Sequence, residues 1–275
     1  MRLSGGRIEE RIERDVVGPL LRNDVEAATR AIPHVLDDLY AAIPEKKRIS
    51  FGVVHTIKVL SEHLYRRLSE ANAEVYDIAS SMFEGSDEHR ARGVALGVLS
   101  YCGLSEYHRA VPFFEQAAAS PDWNLREHAQ MFFRRLIERW PDEAKADLLR
   151  LAESDDPNLR RFVSETLRPV QENRWFYRHP DYPLEVLRKL FREASPYPRT
   201  SVGNNLSDLA RRLPELVYDL VGELVQSGDD NSRWIATRAC RNLVRQDPVR
   251  VMDLLGVDEY RYKDRVYRRS DCQGS

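Results

Sequence analysis

Apolar positions three and four residues apart run through Ile8 to Leu21, Val25 to Leu39, Val53 to Leu68 and Val75 to Phe83. This spacing predicts helices joined by short turns over residues 1–85. Alternating Val, Ile and Thr runs, the mark of strands, are absent from this part. Pro33 falls inside the second segment and is expected to kink that helix or to mark its start.

From residue 86 the pattern repeats itself. Arg92, Arg126, Arg160, Arg199 and Arg233 stand at steps of 34, 34, 39 and 34 residues. Three residues after each comes a small apolar residue: Ala95, Ala129, Val163, Val202, Ala236. Seven after come Leu99, Phe133, Leu167, Leu206 and Cys240, and ten after come Cys102, Leu136, Val170, Leu209 and Leu243. These offsets share one helix face, so each repeat offers the same seam to its neighbours. Turn and cap residues precede each unit, as in Ser120-Pro121-Asp122 and Asp155-Asp156-Pro157-Asn158. Partner helices are expected between them, over Glu143 to Ala152, Pro183 to Ala194 and Pro214 to Val225.

Two helices per unit around a constant seam predict an all-α fold, a HEAT-like α-solenoid (an α-α superhelix) forming a single curved domain. The tetratricopeptide repeat has a similar period, but its Trp/Gly/Tyr/Pro pattern is missing and the 39-residue step breaks it. The periodicity ends after Leu255-Gly256, which divides the chain into an N-terminal helical part (1–85), the repeats (86–256) and a C-terminal tail (257–275). Tyr260 to Arg269 mixes aromatic and basic residues, a combination that can grip a nucleic-acid backbone and stack on bases. A poorly ordered, solvated tail is the expectation for it.

Composition narrows the partners. With 42% hydrophobic and 31% charged residues, 275 residues describe a well-folded protein of one elongated or two compact domains. A net charge of -2 supplies no global field for nucleic acid. Yet 27 of the 42 Lys and Arg residues lie in 121–275, nearly all of them Arg, which leaves room for a local basic face. Three widely spaced cysteines, Cys102, Cys240 and Cys272, suggest a reducing compartment without a disulfide framework or zinc site. No apolar run approaches the roughly 18 residues of a membrane span, and the N-terminus lacks a signal-peptide core. A cytoplasmic, monomeric protein without metal or cofactor is expected. The seven histidines show no ligand spacing, and no phosphate loop or nucleophile elbow is present.

The stretch Tyr197 to Arg212 carries the clearest candidate chemistry. Val202, Leu206 and Leu209 form an apolar stripe, and Ser201, Asn205, Asp208 and Arg212 form a polar stripe beside it. A helix that presents short polar groups to a ligand would read this way, with Asp208 the first candidate. Gly203, in a helix interior, suits close approach of DNA or of a neighbouring helix.

Four segments resemble the HEAT-like DNA glycosylases of the AlkC/AlkD family, the AlkC branch most closely. Asp122-Trp123-Asn124-Leu125-Arg126-Glu127-His128-Ala129 is similar to its Asp-Trp-x-x-Arg-Glu-x-Ala motif. Arg160-Arg161 with Ser164-Glu165-Thr166-Leu167-Arg168-Pro169 resembles its Arg-Arg…Ser-Glu-Gly-x-Arg-Pro stretch. Ser201-Val202-Gly203-Asn204-Asn205-Leu206-Ser207-Asp208 resembles its Ser-Val-Ala-Asn-Asn-Leu-Asn-Asp, and Arg233-Trp234 through Leu254-Leu255-Gly256 follow its last repeat. The resemblance covers residues 86–256.

It implies a cofactor-free DNA alkylation repair enzyme acting on double-stranded DNA with alkylated bases. The family's carboxylates fall on Asp208 and Glu127. Its active-site aromatic falls near Trp175, which stands about two residues late after Arg168-Pro169, with Trp123 as the alternative. Phosphate contacts are expected from Arg160, Arg161, Arg168, Arg199 and Arg238, with Asn205 beside them. The branch's C-terminal immunoglobulin-like domain has no counterpart in this sequence. The plainer readings are that repeated arginines serve as ladders between units and that Trp140 and Trp234 pack between repeats. The alternative function is a non-catalytic HEAT-repeat protein that binds DNA structures or a protein partner.

Overall fold

The computed structural model describes residues 6–272, apart from the side chains at 49–51, 53, 271 and 272. The chain forms two compact units that divide between Pro141 and Asp142. In the first, α1 (Gly6–Ile12) passes through a π-helical stretch, Glu13–Val17, into α2 (Gly18–Leu21). Then follow α3 (Val25–Ala42), α4 (Glu45–Glu70), α5 (Val75–Glu84), α6 (His89–Cys102), α7 (Tyr107–Ala118) and α8 (Trp123–Arg139). The second holds α9 (Pro141–Ala152), α10 (Pro157–Thr166), α11 (Asp181–Leu187), α12 (Pro196–Leu209), α13 (Pro214–Gln226), α14 (Asp230–Ala239) and α15 (Pro248–Leu255). It closes with a hairpin, β1 (Glu259–Tyr262) and β2 (Arg265–Arg268), and the short α16 (Arg269–Cys272). The all-α class expected from the spacing is the one observed. Among the described residues, no helix is long and apolar enough to cross a membrane.

The periodic seam builds these stacks. In the first unit α6 packs between α4 and α8, and in the second α12 packs between α10 and α14. Residues three and seven places after the repeated arginines are buried throughout, from Ala95 and Leu99 to Ala236 and Cys240. Burying each such side chain contributes roughly 1.5–3 kcal/mol for the larger ones. Val170, ten after Arg160, is half-buried instead, because α10 ends at Thr166 before that position is reached. Pro33 neither starts nor ends its helix: α3 runs through it.

The turn residues act as helix caps. Asp122, Asp156 and Asp229 accept backbone N–H bonds from Asn124, Asn158 and Ser232 at 2.8 Å each. The repeated arginines then clasp the turns they follow. Arg126 Nη1 donates to the carbonyls of Ser120 and Pro121 at 2.6 and 2.9 Å, and Arg160 Nη1 to those of Ser154 and Asp155 at 2.7 and 3.0 Å. These carbonyls lie just past a helix end, where intrahelical donors run out.

The 39-residue step also has a structural cause. A 3-10 element, Gln171–Tyr177, is inserted between α10 and α11. Buried Asn173 holds it, donating from Nδ2 to the carbonyls of Thr166 (2.7 Å) and Arg168 (2.9 Å).

The tail departs from expectation. Residues 259–268 form an antiparallel hairpin in which Tyr260 faces Tyr267, and both are buried. Tyr260 Oη donates to the Thr237 carbonyl at 2.7 Å, fastening the hairpin to α14. A run of aromatic residues in an exposed tail had no partner visible along the chain; the partner is a helix more than twenty residues upstream.

Candidate functional site

Helix α12 carries the Tyr197 to Leu209 part of the stretch, Arg211 and Arg212 follow in the turn, and the polar groups part to two sides. Ser201 Oγ donates to the Glu165 carboxylate, and Asn205 Nδ2 donates to the Ser164 carbonyl at 2.8 Å, so both tie α12 to α10. Asn205 is fully buried. Its expected place among DNA contacts is therefore corrected: it is an internal strut. Asn204, Ser207, Asp208 and Arg211 face the other way and line a cleft of about 280 Å³.

Four arginines, Arg168, Arg211, Arg238 and Arg241, and one carboxylate, Asp208, supply the charge of this cleft. Asn242 and Tyr262 complete its wall. Arg168 donates to Asp208 Oδ2 from Nε at 3.1 Å and more closely from Nη2, while Arg211 Nη2 stands 3.3 Å from Oδ1. Nη1 of Arg168 reaches Glu165 Oε2 at 3.2 Å. Burial works against the Arg168 charge, but Glu165 and Asp208 outweigh it and hold its pKa above the ordinary value. Asn204 Oδ1 accepts from both Arg238 Nε (2.9 Å) and Arg241 Nη1 (2.8 Å), which sets the two guanidinium groups side by side. Burial, and then the neighbouring Arg241, lower the Arg238 pKa. Asn242 Nδ2 donates to the carbonyl of Ser207 at 2.7 Å.

Gly203 lets these groups converge. A Cβ there would lie 2.8 Å from Cβ of Arg238 and 3.0 Å from its Cγ and Cδ. Close approach of a neighbouring helix, one of the two expected uses of this glycine, is seen here.

Of the residues expected to act together, the cleft unites Asp208, Arg168 and Arg238. The others stand elsewhere. Glu127 belongs to the first unit, on α8, where Gln130 donates to its carboxylate. Arg160 pairs with the buried Glu193 at 2.6 Å, in addition to its two carbonyl contacts, so its expected phosphate role gives way to an inter-repeat clasp. Arg161 lies over the Tyr197 ring, 4.5 Å from its centroid, and Arg199 lies 4.6 Å from that of Trp234. Arg199 also donates to Asn231.

Trp175 stands on the inserted 3-10 element, with its ring 4.5 Å from Phe176 and 5.0 Å from Tyr182. It does not line the cleft. Tyr177, two residues on, is the aromatic whose hydroxyl senses Asp208. Burial raises its pKa, Arg212 opposes that rise, and Asp208 adds to it. Trp123 is 55% exposed in the first unit. Trp140 donates from Nε1 to the Gly103 carbonyl at 2.9 Å, a packing role.

Arg211, Arg241, Asn204 and Asn242 were not foreseen, and Tyr262 only as part of the Tyr260 to Arg269 run. Six of the cleft's residues carry a legible signal. Asn204 and Arg238 stand five places after a repeated arginine, and Arg168 and Arg241 stand eight after. Asp208 and Asn242 stand nine after. One face of successive repeats thus holds the whole set, next to the seam at offsets three, seven and ten. Among the described residues, no group of three or more His, Cys, Asp or Glu side chains could hold a metal ion.

No protein-family model matches the chain. Over 119 residues it is 29% identical to YhaZ, an uncharacterized protein of Bacillus subtilis. That match covers 41% of this chain and 32% of YhaZ, so the chain spans about a third of the length of the curated relative it matches. Among solved structures, AlkD2 from Streptococcus mutans superposes with a TM-score of 0.56 at 17% identity, over 77% of this chain and 97% of that one. The alkylpurine DNA glycosylase AlkC from Pseudomonas fluorescens, bound to DNA containing an abasic site analog, gives 0.57 at 19% identity, over 84% of this chain and 67% of that one. At such identities the likeness is one of architecture. The chain has the helical-repeat fold of the AlkC/AlkD group of HEAT-like proteins.

Proposed function

We propose that this chain acts in DNA alkylation repair as a glycosylase that removes cationic N-alkylated bases, such as 3-methyladenine, from double-stranded DNA. Alkylation at a ring nitrogen makes the base a cation. The C1′–N bond then breaks with its electron pair leaving on the base, which departs neutral, and the sugar passes through an oxocarbenium-like state. Water adds at C1′ and loses a proton, leaving an abasic site. A carboxylate beside C1′ stabilises the sugar cation and orients that water.

Asp208 is the proposed carboxylate, and its surroundings carry the reading. A cleft with four arginines draws phosphates, and a lone carboxylate there weakens that attraction unless a positive charge has to be met beside it. Arg168 aims the carboxylate, and the Asp208 side chain keeps 18% of its surface accessible. Arg168, Arg211, Arg238 and Arg241 hold the backbone on either side. Glu127, on α8 of the first unit, and Trp175, outside the cleft, are carried into the proposal by the resemblance alone. The AlkC structure, bound to DNA containing an abasic site analog, supports DNA as the partner.

The test is release of 3-methyladenine from methylated duplex by the parent and by Asp208→Asn and Glu127→Gln. Loss in Asp208→Asn is the expected result; undiminished release in both variants removes the proposed site. One observation favours a second reading, a non-catalytic DNA-binding repeat protein: arginines already engage both Asp208 oxygens. It predicts no release by the parent, with salt-sensitive binding to undamaged or branched DNA.

A further inference from the structure

A second groove, of about 410 Å³, opens between α14 and the β1–β2 hairpin. Trp234 and Thr237 form its floor, Tyr260 and Tyr262 its hairpin wall. Arg238, Arg241, Arg261 and Lys263 all line it, and among the described residues no Asp or Glu does. Arg238, Arg241 and Tyr262 also line the Asp208 cleft, so the two depressions share a wall.

The arrangement is costly for a free protein. The Tyr262 ring has three cations about it, with Arg241, Arg245 and Lys263 at 4.8, 5.3 and 5.7 Å from its centroid. Arg241 Nη2 also reaches Tyr262 Oη at 3.4 Å. Like charges gathered without an acidic partner repel one another, and a polyanion relieves that repulsion. Flat rings between the cations offer faces on which bases or sugars stack. The hairpin that brings Arg261 and Lys263 into place is fastened to α14 by the Tyr260 hydroxyl on the Thr237 carbonyl. Arg261 and Lys263 are exposed at its outer edge and take no part in that anchoring.

We propose that the α14–hairpin groove is a clamp for the phosphodiester backbone of DNA, continuing the path of the strand that enters the Asp208 cleft. The clamp rests on the proposed DNA-directed function for its ligand, but it does not need the excision chemistry. Arg238 and Arg241 bridge the two depressions, Arg261 and Lys263 neutralise phosphates farther along, and Tyr262 separates them as a stacking face.

Binding of a fluorescein-labelled undamaged duplex is followed by anisotropy from 50 to 300 mM salt, for the full chain and for Arg261→Gln/Lys263→Asn. Asn suits position 263, where the backbone has a φ of 55°. The pair should weaken binding about tenfold at the lowest salt and reduce the slope of log K against log salt by about 1 to 2, at roughly 0.9 per phosphate lost. An unchanged affinity and slope in a variant that melts like the parent overturns the clamp. Tyr262→Leu gives a second arm: it keeps the charges, so a loss of affinity with the slope retained supports the stacking face. Base release is scored in the same samples. Binding that depends on the hairpin, without release by the parent, leaves the clamp standing and removes the glycosylase reading. Release together with hairpin-independent binding does the reverse, and a parent that binds no DNA removes both.

Discussion

Arg168 donates two hydrogen bonds to a single oxygen of Asp208 across 40 residues of chain, while its remaining nitrogen holds Glu165. Glu165 is almost wholly buried, so one guanidinium both satisfies an internal charge and aims a carboxylate at a cleft. Arg168→Ala should therefore act on stability as well as on binding. Leaving Glu165 without that partner is expected to cost about 2–3 kcal/mol, below the 3–5 of a fully buried pair because Arg168 is one-third exposed. Urea unfolding checks it. Arg168→Lys should recover part of the stability but not the aim of Asp208, since an ammonium lacks the planar fork.

Gly203→Ala tests how α12 and α14 meet. In an open helix this change stabilises by about 1 kcal/mol. Here the new methyl would press on Arg238 at 2.8 Å, so the sign should reverse. A net loss of stability, accompanied by weaker DNA binding as Arg238 shifts, is expected in paired unfolding and anisotropy measurements. A stabilised protein with unchanged binding would show that α14 yields freely.

His128 should make the first unit sensitive to acid. Burial, and then the charge of His89, lower its pKa to about 4 from an ordinary 6.5. The ring is pressed against α6, where Gly93 leaves room for it. The unfolded chain binds the proton more readily than the folded one between those values. Stability is therefore full above about pH 6.5 and falls as pH drops toward 4, by roughly 3 kcal/mol at most. His128→Asn should flatten that part of the profile, measured as urea midpoints from pH 7.5 to 4. A slope equal to the parent's would mean that other groups cause the loss.

Tyr260→Phe isolates the bond that fastens the hairpin. Losing the 2.7 Å contact to Thr237 should cost about 1 kcal/mol locally and leave the rest of the fold in place. Hydrogen exchange is the suitable readout: amides of 259–268 should exchange several-fold faster while those of α10 and α12 hold.

Helices, their caps and the inter-repeat seam are legible along the chain because each depends on neighbours within about ten residues. An Asp starts a helix by binding an N–H two or three places on, and a stripe three and four residues apart is apolar because it is buried. Asp208, Arg168 and Arg238 can be singled out for the same reason, since they recur at fixed places in a repeat. The inward or outward choice among adjacent polar residues is not local. Asn204 and Asn205 are identical in chemistry and one position apart, yet the first braces two arginines at the cleft and the second is sealed against α10. That difference arises from which helix packs on each side of α12, and a turn of 100° per residue is enough to decide it. The hairpin is the further case. Its tyrosines read as solvated until α14 supplies a carbonyl and an apolar floor, and only the packed structure brings those residues together.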